Sequence, residues 1–246
     1  MGQTPDTWRI SRRIGSFRGE RRILILLAIF AAAIAAWGWL ERHPEHNPWA
    51  PLDLRHPVGW ATSGKLAALK DDAEQCRVML DRSEVAFRAL EGTGSEACRR
   101  PDRTQLTAYP LAPDTPVVTC PVAAGLEIWR TKTVEPAARD ILGSDLARIE
   151  HLGAYSCRRL YGRENGSWSE HASGNAIDIS AFVLADGRRV SVQGAWDGDA
   201  DEQRFLRAVR DGACGAFATV LSPDYNAAHA DHFHLDQQGR WTGVCR

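Results

Sequence analysis

The chain has almost no net charge: 30 lysines and arginines face 31 aspartates and glutamates, for a formal charge of −1. The basic excess that phosphate backbones demand is missing, which excludes nucleic acid as a partner. Cys-x-x-Cys pairs are also missing, so thiolate zinc ligands of the usual spacing are excluded. There are no internal repeats and no low-complexity tracts, which leaves one ordinary folded domain plus an appendage as the expectation for 246 residues. No cysteine precedes position 76. All six, at 76, 98, 120, 157, 214 and 245, lie beyond the longest apolar run. An even number confined to the part that would be exported fits three disulfides in an oxidising compartment, although six cysteines allow 15 pairings and sequence does not choose among them.

The charge that is present is unevenly placed. Residues 1–22 form a basic leader, with Arg9, Arg12, Arg13, Arg18, Arg21 and Arg22 against Asp6 and Glu20. Residues 23–40 (ILILLAIFAAAIAAWGWL) then run without a charge or a proline, and as a helix they would cover about 27 Å, close to the thickness of a bilayer core. Arginines before the run favour a cytoplasmic N-terminus, and Trp37 and Trp39 sit where an interfacial aromatic belt belongs. Ala31–Ala33 and Ala35–Ala36 offer small residues to a signal peptidase, but the apolar run continues past them to Leu40, which favours a retained anchor over a cleaved signal. Residues 41–63 carry four prolines, together with His43, His46 and His56, and no apolar period. They read as an extended, solvated tether.

The remainder, 64–246, alternates helical and strand-like signals. Leu66, Leu69, Ala73, Cys76 and Leu80 share a helical face, and Pro121 opens a second helix that buries Leu126, Trp129, Ala137 and Leu142 before Gly143 stops it. Residues 146–156 read as a strand leading into a loop, with His151 as a structural histidine. A glycine- and serine-rich loop follows at 162–174. Two β-runs, 175–183 and 188–193, flank the turn signal Asp186-Gly187; 199–213 reads as a helix and 231–236 as a last short strand. This order predicts an α+β domain.

Two short segments hold the reactive side chains, Ser169 to Asp178 and His229 to His234. A strand from Asn175 places Ala176, Asp178 and Ser180 on one face and Ile177 and Ile179 on the other, with His171 in the loop before it. The same alternation places His232 and His234 on one face, about 6–7 Å apart in Cα position. Imidazole nitrogen and carboxylate oxygen are zinc ligands, and a catalytic site uses three of them with a fourth position for water. Four candidates therefore compete for three places. Asp231, Asp236 and His229 are available to orient the rings.

The pattern Ser169-x-His171-x-x-Gly174-x-Ala176-x-Asp178 resembles the motif of the D-alanyl-D-alanine metallopeptidases. His232-x-His234 is similar to the closing motif of the wider group that includes lysostaphin-type and penicillin-insensitive murein endopeptidases. Closer still, the stretch from about Cys76 to Arg246 resembles the bacterial extensin-like C-terminal domain family, through Tyr155-Ser-Cys-Arg158, the serine-histidine motif, the run Asp224 to Asp236 and the terminal cysteine. The resemblance to the metallopeptidases implies His171, Asp178 and His234 as metal ligands, with His232 beside the metal as a proton-transfer group. It also implies Arg158 as a substrate-facing, charge-stabilising arginine. Ser169 is expected to order the loop and line the substrate site, not to act as a nucleophile. One departure stands out. Carboxypeptidases of this group place a glutamate three residues before the last ligand, as general base, whereas this chain has Asp231 there, so the base is Asp231, His232 or the pair as a relay.

The expectation is a small antiparallel sheet with a zinc (Zn2+) site, flanked by helices and preceded by one transmembrane helix. The protein would sit in the inner membrane as a single-pass anchor, with its domain in the periplasm hydrolysing D-amino-acid-containing peptides of peptidoglycan. The rival expectation is a module that keeps the zinc and binds or helps assemble the wall without hydrolysis.

Overall fold

The computed structural model describes residues 18–238 and 244–246 and divides at Arg42 into two compact units. Positions 1–17 of the basic leader, Arg9, Arg12 and Arg13 among them, lie outside the described residues. The first unit is helix α1 (Arg18–Arg42), which extends past both ends of the 23–40 run. Within it, Arg21–Arg42 is long and apolar enough to cross a membrane. Leu24, Leu26, Ile29 and Phe30 are all more than half exposed, and the 23–40 stretch presents no polar face.

In the second unit, the segment expected as a tether is instead folded onto the domain. Leu54 is buried, Leu52 and Val58 pack against the core, and the Lys65 ammonium donates to the Pro44 carbonyl at 2.6 Å. The physical reason is that the prolines here set turns, and the turns deliver three apolar side chains to the core without any regular period that a sequence pattern would register.

Helices α2 (Thr62–Ala68) and α3 (Ala73–Arg82) follow, where one helical period was expected. Asp72 separates them, because its carboxylate caps α3 by accepting from the Gln75 amide at 2.9 Å. Strands β1 (Phe87–Leu90), β2 (Arg103–Leu106) and β4 (Val117–Val118) form a small antiparallel sheet in the order β1-β2-β4. The expected helix from Pro121 to Leu142 is present as α4 (Cys120–Trp129) and α5 (Glu135–Leu142), joined by a π-helical turn over Arg130–Val134. Pro136 accounts for that turn: its ring has no N–H to give and would clash with the carbonyl four residues back in a regular helix.

The main sheet contains β3 (Leu111–Ala112), β5 (Leu146–Gly153), β6 (Ala176–Leu184), β8 (Thr219–Leu221), β9 (Phe233–Asp236) and β10 (Val244–Cys245), in the order β10-β8-β9-β6-β5-β3. Strand β7 (Arg189–Ser191) also pairs with β6. The sheet is antiparallel through its centre and parallel at its two edge pairs, β10 with β8 and β3 with β5. Helices α6 (Val192–Ala195) and α7 (Ala200–Ala213) complete the α+β fold.

Strand β6 decides where the site and the core lie. Its pairing with β5 skips from Ile179 to Ala181, which leaves Ser180 as a bulge. An extra residue reverses the alternation of side chains. Ile177 and Ile179 before it, and Phe182 and Leu184 after it, therefore all enter the core, while Asp178 is released to the other face. Phe182 meets Trp129 and Phe205 edge-on at 5.8 and 5.1 Å between ring centroids, and the Trp129 indole donates to the Val209 carbonyl at 2.7 Å. Disulfides join Cys76 to Cys120, Cys98 to Cys157 and Cys214 to Cys245.

Candidate functional site

Asp178 and His234 are direct cross-strand partners on the central pair β6–β9. Their side chains meet on the face opposite Ile177, Phe233 and Leu235, with the His234 Nδ1 2.9 Å from the Asp178 Oδ1. His171 arrives from a short turn, Glu170–Ser173, which Ser169 caps by accepting from the His171 amide at 3.3 Å. Gly174 ends that turn at φ 72°, and a side chain there would press on the Arg100 guanidinium at 3.1 Å. The glycine thus permits both the left-handed turn and the close packing behind it. The His171 Nε2 then lies 3.2 Å from Asp178 Oδ1 and 3.1 Å from His234 Nδ1.

The outer partners of the two rings fix what those inner atoms are. The His171 Nδ1 is 3.1 Å from the Ala154 carbonyl, and the His234 Nε2 is 2.9 Å from the Asp236 carboxylate. Carbonyl and carboxylate oxygens only accept, so each ring donates outward and a neutral ring turns its lone pair inward. Two imidazole lone pairs and a carboxylate oxygen then converge with no proton among them. Three acceptors at such separations repel one another unless a cation sits between them. His171, Asp178 and His234 offer ligand atoms all within 4.8 Å of one another. A tetrahedral ion with bonds of about 2.0–2.1 Å would space its ligands by about 3.3 Å, near the separations here. The donor set fits a divalent ion such as zinc, with Asp236 and the Ala154 carbonyl orienting the ligands.

Without an ion, a proton takes its place. Burial disfavours charge on His234, yet the hydrogen bonds to Asp178 and Asp236 outweigh it and raise its pKa to about 9. Burial likewise opposes ionisation of Asp178, but the two imidazoles prevail and hold its carboxyl well below the usual range. His229 goes the other way: burial, reinforced by neighbouring His232 and His234, lowers it to about 4.

His232 stands just before β9, and its Nε2 lies 3.7 Å from Asp178 Oδ1. Its Nδ1 is 2.7 Å from the Asp231 carboxylate, so here too the ring donates outward and presents a lone pair inward. Asp231 itself is not part of the cleft wall and meets it through His232. The cleft has a volume of about 150 Å³, and Arg158, Tyr161, Ser169, His229 and His232 line it beside the three clustered residues. Among the described residues no acidic side chain pairs with Arg158. His151 lies elsewhere, bound to the Asp114 carbonyl at 3.0 Å as a structural histidine. His43, His46 and His56 are not in the cleft wall either.

Of the residues singled out for the site, Arg158, Ser169, His171, Asp178, His229, His232 and His234 line one cleft, while Asp231 and Asp236 lie outside its wall and meet it through His232 and His234. Tyr161, Leu160 and the orienting carbonyl of Ala154 were not anticipated. The carbonyl carries no side-chain signal at all, and Tyr161 offers only its position three residues beyond Arg158. No curated protein and no solved structure matches the chain. Residues 74–246, most of its length, match the family described as "Extensin-like protein C-terminus", and the chain belongs to that family.

Proposed function

We propose that the domain is a zinc-dependent peptidase that hydrolyses D-amino-acid-containing peptides of peptidoglycan, held at the outer face of the inner membrane by α1. The observation that carries this reading is the convergence of three lone-pair donors from His171, Asp178 and His234, with a fourth inward lone pair on His232 beside them. The match of the Ser169–Asp178 stretch to the D-alanyl-D-alanine metallopeptidase motif supports it. Bound zinc would supply Lewis acidity for amide hydrolysis. His232 would take up a proton at Nε2, and Asp231 would stabilise the imidazolium that results. Arg158, lining the same cleft, would hold a substrate carboxylate or the charge that develops on the scissile carbonyl oxygen. Asp236 and the Ala154 carbonyl would keep the ligand rings in one tautomer.

Incubating the full-length, zinc-loaded protein with purified peptidoglycan and analysing the released muropeptides tests the activity. His171→Ala, Asp178→Ala and His234→Ala should lose both zinc and hydrolysis. His232→Ala should retain close to one zinc per chain and lose roughly 10²–10⁴ in rate, the scale of a proton-transfer group. A zinc-free His232→Ala beside a zinc-replete His234→Ala would reverse the assignment of that pair. A zinc-replete wild type that releases nothing from the wall would leave the wall-binding module as the correct reading.

A further inference from the structure

A second cavity, of about 170 Å³, adjoins the metal cleft and shares Leu160, Tyr161, Ser169, Leu221 and His234 with it as a common wall. Its chemistry differs from that of the cleft. Three aromatic side chains line it, Tyr161, Trp168 and Tyr225, and all three remain between about two fifths and just over half exposed. Three such rings gathered around one cavity offer apolar faces to a ligand beside a polar site.

The rings are also held in place. The Arg159 guanidinium lies 4.4 Å over Trp168, and Arg159 and Trp168 are joined as a small antiparallel bridge. The Tyr161 hydroxyl accepts from the Asn226 side-chain amide at 3.4 Å, and its backbone sits at φ 57°, a conformation that bulky residues rarely adopt. Such a conformation persists only where surrounding structure enforces it, and here it sets the ring in the wall common to both cavities.

Charge narrows the ligand class. The acidic groups in this wall are already matched: Glu170 by Lys70 at 3.1 Å and by the Asn175 amide at 2.5 Å, and Asp236 by His234 at 2.9 Å. Hydroxyl and amide groups of Ser167, Thr219 and Gln238 line the cavity together with the rings. A ligand with one apolar face and a rim of hydroxyl and amide groups fits that lining.

We propose that this cavity is a saccharide subsite, which takes an uncharged N-acetylated amino sugar of the glycan strand while the attached peptide enters the metal cleft. The inference rests on the peptidase reading for the choice of polymer, and it makes the substrate peptide still joined to glycan. The test is calorimetric titration of the full-length protein in detergent with tetra-N-acetylchitotetraose, which contains no peptide. The wild type should bind it, and Trp168→Ala should bind about 3- to 10-fold more weakly, the scale of one aromatic contact. Trp168→Phe should recover most of that loss, which separates a lost stacking face from a misfolded loop, and the Trp168→Ala, Tyr225→Ala double variant should show no binding. Zinc content and circular dichroism report whether each variant is folded. Absence of binding by the wild type, or equal binding by the double variant, overturns the proposal. So does a free stem peptide whose affinity falls with the same substitutions, since the cavity is then a peptide groove. Running both assays on the wild type separates the two readings: saccharide binding with no hydrolysis keeps the subsite and removes the peptidase, and peptide hydrolysis with no saccharide binding does the reverse.

Discussion

At His234, two carboxylates and a buried position compete over the charge of one ring. In the metal-free protein the carboxylates win, and the raised pKa of about 9 compares with about 6.5 in an unfolded chain. A group whose folded pKa lies above its unfolded value adds stability that is fully present below the unfolded pKa and lost as pH rises through the folded one. Chelator-treated protein should therefore lose stability between about pH 6.5 and pH 9 on this account, as followed by thermal melts. A zinc ion bound as proposed would have to displace the same proton, so its apparent affinity should rise across that window, by up to about tenfold per pH unit while one proton is released. Asp236→Asn removes one of the two opposing charges and should move the upper end of the window down. A zinc affinity that is flat from pH 6.5 to 9 would show that the ring carries no proton to displace.

At the scale of elements, the site depends on how three pieces of chain are fastened. Alternation along β6 turns Asp178 away from Ile177 and Ile179, the cross-strand register brings His234 to it, and the disulfide Cys98–Cys157 fixes the segment just before Arg158. That segment also meets the ligand turn directly, since the Ser156 amide donates to the His171 carbonyl at 3.1 Å and the Ser169 amide to the Arg158 carbonyl at 3.2 Å. Replacing Cys98 and Cys157 together by alanine should cost roughly 2–4 kcal/mol, which lowers the melting temperature by about 5–15 °C in a domain of this size. Zinc affinity should fall with it, because His171 loses its outer support. Unchanged zinc affinity in a destabilised variant would confine that bridge to stability. Alternation alone located Asp178 opposite Ile177 and Ile179, and Pro121 and Gly143 located the start of α4 and the end of α5, since these are local properties of the chain. The docking of 43–61, the strands β1 to β4 and the Ala154 carbonyl were not legible. Each depends on partners distant in sequence, and two-residue strands such as β3 and β4 are too short to show any period.

At the scale of the whole molecule, the proposed compartment and topology are supported by features that do not depend on one another. None of the six cysteines is free in the structure, and three bridges closing loops of 44, 59 and 31 residues need an oxidising environment to form and persist. The helix that precedes them is apolar on every side and passes the length required for a bilayer, and arginines cluster before it. A cytoplasmic domain would leave the bridges without a use, because its thiols would stay reduced. The expected arrangement is a short cytoplasmic leader, one crossing and an exported domain. A reporter fused after Arg246 should be active only outside the cytoplasm, and mass spectrometry of unreduced protein should find no free thiol. The chain should also remain in the membrane fraction at its full 27.2 kDa. A shorter product missing about the first 30 residues, released to the soluble fraction, would show that the apolar run is a cleaved signal. Free thiols in exported material would instead sever the link between the cysteines and the compartment, and leave the topology resting on the helix alone.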